Sequence, residues 1–231
     1  MKKKYEHLFF DIDRTLWDFE RNSEEAIEEL FDNHGLLEKL QTPFQDFLKV
    51  YKQKNEELWG LYRLGEVQKD ELRQERFNRA FQAFGYSNPK MALQFNDDYI
   101  HTSSSKTNLI PHAKEILAYL DGNYYLHVIT NGFVEAQNAK LDNCDLRKHF
   151  HEIIISDGLG YKKPDKRIFH HAMKKAAAKS VNSLMVGDDY GPDVLGAKAV
   201  GMDQVYLSTK EDHRNEATYT IKSLQELENI L

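Results

Sequence analysis

Four short polar stretches hold residue types that act together on an anionic ester. They are Asp11-Ile12-Asp13-Arg14-Thr15, Thr130-Asn131-Gly132, Lys162-Lys163-Pro164-Asp165 and Gly187-Asp188-Asp189-Tyr190-Gly191-Pro192-Asp193. A carboxylate can attack phosphorus to form an acyl phosphate, splitting one hard hydrolysis into two easier steps. A second carboxylate can carry a proton to a leaving oxygen. A threonine hydroxyl and nearby backbone amides can bind a phosphoryl oxygen, and a lysine can neutralise charge. Gathered acids repel one another unless a cation sits among them, and hard carboxylate oxygens suit Mg²⁺. Any one stretch alone is weak: an isolated Asp-x-Asp or Thr-Asn-Gly is a turn far more often than a site. All four follow apolar runs, however, and ligands of parallel α/β sheets bind at the carboxyl ends of strands.

The elements that must position these residues are legible as alternating patterns. Apolar runs at 7–12, 124–130, 153–156, 183–187 and 204–208 have the length and β-branched or aromatic content of buried strands. Between them, 111–120, 133–141, 165–178 and 193–200 show helical spacing. Strand–helix alternation predicts an α/β fold with a Rossmann-like parallel sheet flanked by helices. The stretch 19–100 breaks the alternation and reads as helices only, over 23–31, 44–62, 69–84 and 90–99. Ser23 is the expected N-cap of the first, Gly65 and Gly85 are expected stops, and the serine-bearing stretch 101–108 is the expected return linker. A helical domain inserted after the first strand follows, giving a core of 1–16 and 105–231 and an insertion of 17–104.

The 231 residues carry a formal net charge of −6 and are 41% hydrophobic. This acidic balance argues against a nucleic-acid polymer as partner, so an anionic substrate must find local positive charge. A single cysteine, Cys144, excludes an intramolecular disulfide and reads as a small buried hydrophobe. The run Leu8-Phe9-Phe10 is too short for a signal peptide, and no window reaches transmembrane length. The expectation is a cytoplasmic protein without membrane partners, a monomer or weak homodimer.

The four motifs together resemble the haloacid dehalogenase-like (HAD) hydrolase superfamily, over nearly the whole chain. That resemblance implies an α/β core with a mobile α-helical cap and a Mg²⁺-dependent phosphatase. It assigns the nucleophile to Asp11, the general acid and base to Asp13, phosphoryl binding to Thr130, and charge neutralisation to Lys163. It assigns the metal to the carboxylates of Asp11 and Asp188, the backbone carbonyl of Asp13, and Asp193 through water or as a support of the other ligands, with Asp189 able to do either. Thr130, Asn131, Gly132, Lys163 and Arg14 are the expected substrate-binding residues. Asp13 separates phosphoryl transfer from dehalogenation, because an alkoxide needs a proton and a halide does not. The segment Thr15-Leu16-Trp17-Asp18-Phe19 is similar to the pyrimidine 5′-nucleotidase branch. A sugar phosphomutase of the β-phosphoglucomutase type, a 2-haloacid dehalogenase and a regulatory binding protein retaining the fold are the alternatives. Arg14 departs from the family, which mostly has Gly or Asp there; contact with substrate phosphate or a nucleobase is one role open to it, and solvent or a salt bridge to the cap is the favoured one. Trp17, Phe19, Trp59 and Tyr62 read as core or hinge packing, and 69–79 as a solvated charged helix face.

Overall fold

The computed structural model describes residues 4–208 and 216–231. The leading Met1-Lys2-Lys3 lies outside them. Two compact units divide the chain: residues 1–19 with 107–231, and residues 20–106.

The first unit is built on a six-stranded sheet. Its strands are β1 (His7–Phe10), β2 (Tyr125–Thr130), β3 (Glu152–Ile155), β4 (Ser183–Gly187), β5 (Asp203–Leu207) and β6 (Tyr219–Ile221). They lie in the order β3-β2-β1-β4-β5-β6, and every neighbouring pair is parallel. Strands buried on both faces read as continuous apolar runs, as Leu8, Phe9 and Phe10 do. Alternation along the strands sends Leu8, Phe10, Val128 and Val186 to one core with α6 (Ala113–Leu120). Phe9, Ile129 and Met185 go to the other core with α8 (Lys166–Lys175). Cys144 is buried in the first core. The sixth strand is absent from the sequence reading, because three residues are too few to show a period.

The second unit contains helices α1 (Phe19–Asn33), α2 (Leu36–Leu40), α3 (Phe44–Leu64), α4 (Lys69–Gln82) and α5 (Pro89–Ser105). Its core is aromatic: Phe47, Phe77, Phe81 and Phe95 cluster, and Tyr51 stacks on Phe77 with ring centroids 4.7 Å apart.

Three local expectations fail for identifiable reasons. Ser23 does not cap α1, which starts at Phe19. It lies buried inside the helix, its Oγ 2.8 Å from the Tyr99 hydroxyl. The serines of 103–105 do not form a linker but extend α5, each hydroxyl donating to a carbonyl three residues back, at Ile100, His101 and Thr102. Within the charged 69–79 face, Arg76 is buried. Its Nε donates to Asn96 Oδ1 at 2.7 Å and its guanidinium lies over Tyr99. Gly65 does end α3, with φ 80° and its N–H donating to Tyr62 O.

Among the described residues no helix is long and apolar enough to cross a membrane.

Candidate active site

Sheet register gathers the polar stretches. β1 lies between β2 and β4, with Phe10 level with Val128 and Val186, and the Asp11 amide donates to Val186 O at 3.0 Å. Asp11 therefore emerges centrally, between the ends of the strands that deliver Thr130 and Asp188. The chain then winds tightly. Leu16 and Trp17 amides both donate to Ile12 O, and the Arg14 amide to Trp17 O. Arg14 takes φ 64°, the left-handed region where glycine is at ease. Its guanidinium lies 4.4 Å from the Phe19 ring centroid.

Lys163 ties the acidic residues together. Its buried Nζ donates to Asp11 Oδ1 at 2.7 Å and to Asp193 Oδ1 at 2.6 Å. Burial works to lower its pKa, but the charges of Asp11 and Asp193 outweigh that and hold it above the ordinary value. The Lys163 loop is clamped by Asn131, whose side chain donates from Nδ2 to Lys163 O and accepts from Lys163 N, both at 2.8 Å. Asn131 thus acts here through its side chain, on the loop that carries the lysine.

Asp193 sits in a wide, π-type turn, Tyr190–Leu195, and is 1% exposed. Its Oδ2 accepts from the Asp189 amide at 3.1 Å. A Cβ on Gly187 would meet that Oδ2 at 2.2 Å, so the strand end must be glycine for Asp193 to fit. Asp188 accepts from Thr15 Oγ1 at 3.1 Å. Thr15 belongs to the first motif, yet its tie to Asp188 is invisible in sequence because 173 residues separate the two.

Oxygens of Asp11, Asp188 and Asp193 lie within 4.8 Å of one another. Burial first, then neighbouring carboxylates, push Asp11 up to about 7 and Asp188 to about 8, against the pull of Lys163 on Asp11. Three hard oxygen donors gathered this closely are a donor set that fits a divalent cation. Among the described residues this is the one such group, and the carboxylates of Asp13 and Asp189 are outside it.

Asp13 is held elsewhere. Its Oδ1 accepts from Lys140 Nζ at 2.5 Å and its Oδ2 from Gln137 Nε2 at 2.7 Å. Burial pushes its carboxyl up, but the Lys140 charge, both hydrogen bonds and Arg14 outweigh that and hold it below the usual carboxylate range. Gln137 Nε2 also reaches Thr130 Oγ1 at 3.2 Å, and the Gly132 amide donates to the same oxygen at 3.2 Å. Both contacts are donors, so the threonine hydroxyl keeps its own hydrogen to offer. The Gly132 amide is spent on Thr130.

Gln137 and Lys140 lie on α7 (Val134–Asn143), whose first amide is capped by Asp157 Oδ2 at 3.1 Å. Sequence reasoning missed both. Their spacing of three puts them on one helix face, but nothing in the pattern distinguishes that face from a solvated one.

A parallel sheet with carboxylates at the ends of β1 and β4, a hydroxyl at the end of β2 and a lysine after β3 defines a class. The chain belongs to the haloacid dehalogenase-like hydrolase family, whose family model matches residues 5–201. Among its relatives, pyrimidine 5′-nucleotidase YjjG of Escherichia coli (strain K12) is 30% identical over 99% of this chain and 98% of its own. Pyrimidine 5′-nucleotidase PynA of Streptococcus pneumoniae is 28% identical over 98% of this chain and 95% of its own. The magnesium-bound crystal structure of the HAD-hydrolase YfnB from Bacillus subtilis superposes with a TM-score of 0.90 at 26% identity, covering 99% of both chains.

Proposed function

We propose that this chain is a Mg²⁺-dependent phosphomonoester hydrolase acting through an aspartyl-phosphate on Asp11, with a nucleoside 5′-monophosphate as substrate. The observation that carries the mechanism is Lys163 Nζ bridging Asp11 and Asp193, with the oxygens of Asp188 alongside. The nucleotide reading is supported by two relatives named as pyrimidine 5′-nucleotidases.

Asp11, Asp188, the Asp13 carbonyl and Asp193 are the groups that would hold Mg²⁺, and bound there it would neutralise phosphoryl charge. Thr130 donates its hydroxyl hydrogen to a phosphoryl oxygen, and Lys163 offsets the negative charge of nucleophile and substrate. Asp11 attacks phosphorus; the Asp11–phosphorus bond forms and the ester phosphorus–oxygen bond breaks. The departing alkoxide takes a proton from Asp13. Asp13 then removes a proton from water, whose oxygen attacks phosphorus and frees Asp11 and inorganic phosphate. The proton count closes: Asp13 takes up one proton as the phosphate dianion binds, gives it to the alkoxide, regains one from water and releases it as inorganic phosphate leaves. At rest Lys140 holds Asp13 as a carboxylate. A phosphate dianion arriving beside it raises its affinity for the proton it must donate. By the same reading the helical unit, 20–106, serves as the cap that sets substrate choice.

The test is a panel of nucleoside monophosphates, sugar phosphates and flavin mononucleotide, with Mg²⁺ and with chelator. Magnesium-dependent phosphate release highest on nucleotides is expected. Asp11→Asn should lose at least about 10³-fold in kcat while its circular dichroism spectrum stays native. Wild-type-like turnover in that variant sinks the mechanism, and conversion of a hexose 1-phosphate to the 6-phosphate replaces hydrolysis with mutase chemistry.

A further inference from the structure

Resting on the phosphatase reading, we propose that Gln137 and Lys140 are positioning residues that aim the carboxyl of Asp13 and register it against the phosphate seat at Thr130. Both are costly where they are. Gln137 is 1% exposed and Lys140 6%, and burying long polar side chains gives up rotamer freedom and hydration. The Lys140 ammonium is met by Asp13 Oδ1 and by the face of the buried Trp17, 4.2 Å from the ring centroid. The Gln137 amide is admitted only because residue 132 is glycine: a Cβ there would stand 1.7 Å from Gln137 Nε2.

The consequence is geometric. Both oxygens of Asp13 are fixed by donors from one helix, α7, rather than by the loop that carries Asp13. The amide holding Oδ2 also touches Thr130 Oγ1, so acid and phosphoryl contact share one reference point. A proton donor misplaced by about 1 Å costs on the order of 10²-fold. α7 is thus a further support of the site, beside the ends of β1, β2 and β4 and the loop after β3.

The leaving group separates this role from a merely structural one. An alkoxide needs the proton of Asp13; p-nitrophenolate departs without it. kcat/KM reports only the steps through departure of the alcohol, so it isolates the acid step from hydrolysis of the phosphoenzyme. Lys140→Met and Gln137→Leu keep side-chain volume and remove the donors. For a nucleoside 5′-monophosphate their kcat/KM should fall about 10²-fold, and for p-nitrophenyl phosphate by no more than about threefold. Lys140→Arg, which keeps a cationic donor, should recover most of the loss. Equal losses on both esters, or no loss on the nucleotide, overturn the proposal. If the wild-type protein hydrolyses neither ester, the phosphatase reading fails. The positioning role is then decided by crystal structures of the wild type and Lys140→Met: an Asp13 carboxyl displaced in the variant supports it, and an unmoved one overturns it.

Discussion

Two glycines at the site have opposite neighbours, which turns one substitution into a controlled contrast. At Gly187 an added Cβ meets Asp193 at Oδ2, Cγ and Cβ, at 2.2, 2.4 and 2.6 Å, and Asp193 is itself fully buried and bonded to Lys163. Nothing there can swing away. Gly187→Ala should therefore cost about 1–3 kcal/mol by overpacking and loosen Lys163 as well, read as a lower urea midpoint together with lost turnover. At Gly132 the obstacles are Nε2, Cδ and Cγ of Gln137, at 1.7, 2.5 and 2.8 Å, all of them beyond Cβ and moved by rotation about χ1, whereas the Cβ of Asp193 is fixed by its backbone. Gly132→Ala should unfold at nearly the wild-type urea midpoint, within about 1 kcal/mol, while activity falls because Asp13 loses its amide partner. Equal stability losses in the two variants contradict the argument.

At the scale of elements, the β1–β2 pairing buries a basic pair. His7 Nδ1 lies 3.1 Å from His127 Nε2, one ring donating and the other accepting, with Tyr125 stacked on His7, His151 tilted against His127 and Glu6 the adjacent acid. Burial first, then His7 and His151, push His127 down to about 3. The folded form thus binds fewer protons than the unfolded chain, whose histidine titrates near 6.5. Stability from this group is complete above that value and drains as pH falls toward 3. By pH 5 the loss is about 2 kcal/mol. Asp11 and Asp188 gain protons over the same range and stabilise the fold as pH falls, so the comparison is between the wild type and His127→Phe: the difference in their urea unfolding free energies should shift by about 2 kcal/mol between pH 7 and pH 5. The sequence displayed β1 and β2 as apolar runs and placed Asp11 and Thr130 at their ends, because burial on both faces leaves a continuous signal. It displayed the helical insertion too. What it did not show were contacts that depend on distance through space: Thr15 with Asp188, Asn131 with Lys163, and the α7 face that holds Asp13. The start of α1 and the end of α5 were also illegible, because Ser23 and the serines of 103–105 satisfy their hydroxyls inside the helix instead of capping or breaking it.

For the whole molecule, net charge and site charge pull the same way. A chain of net charge −6 that gathers Asp11, Asp188 and Asp193 is repelled by itself and by any phosphoester. Lys163 offsets part of that; under the proposed function a divalent cation offsets the rest. The metal-free protein should then carry a stability deficit at its active site, of the kind function imposes on a fold. Removing one carboxylate relieves it. Asp188→Asn should melt higher than the metal-free wild type at neutral pH. Added Mg²⁺ at 100 times its Kd should stabilise the wild type by about 2.7 kcal/mol, and the variant by little. Calorimetry with Mg²⁺ and with chelator reads both effects. A variant that melts lower than the metal-free wild type, yet gains as much from Mg²⁺, would mean that Asp188 is there to hold Thr15 and its loop rather than to bind a cation.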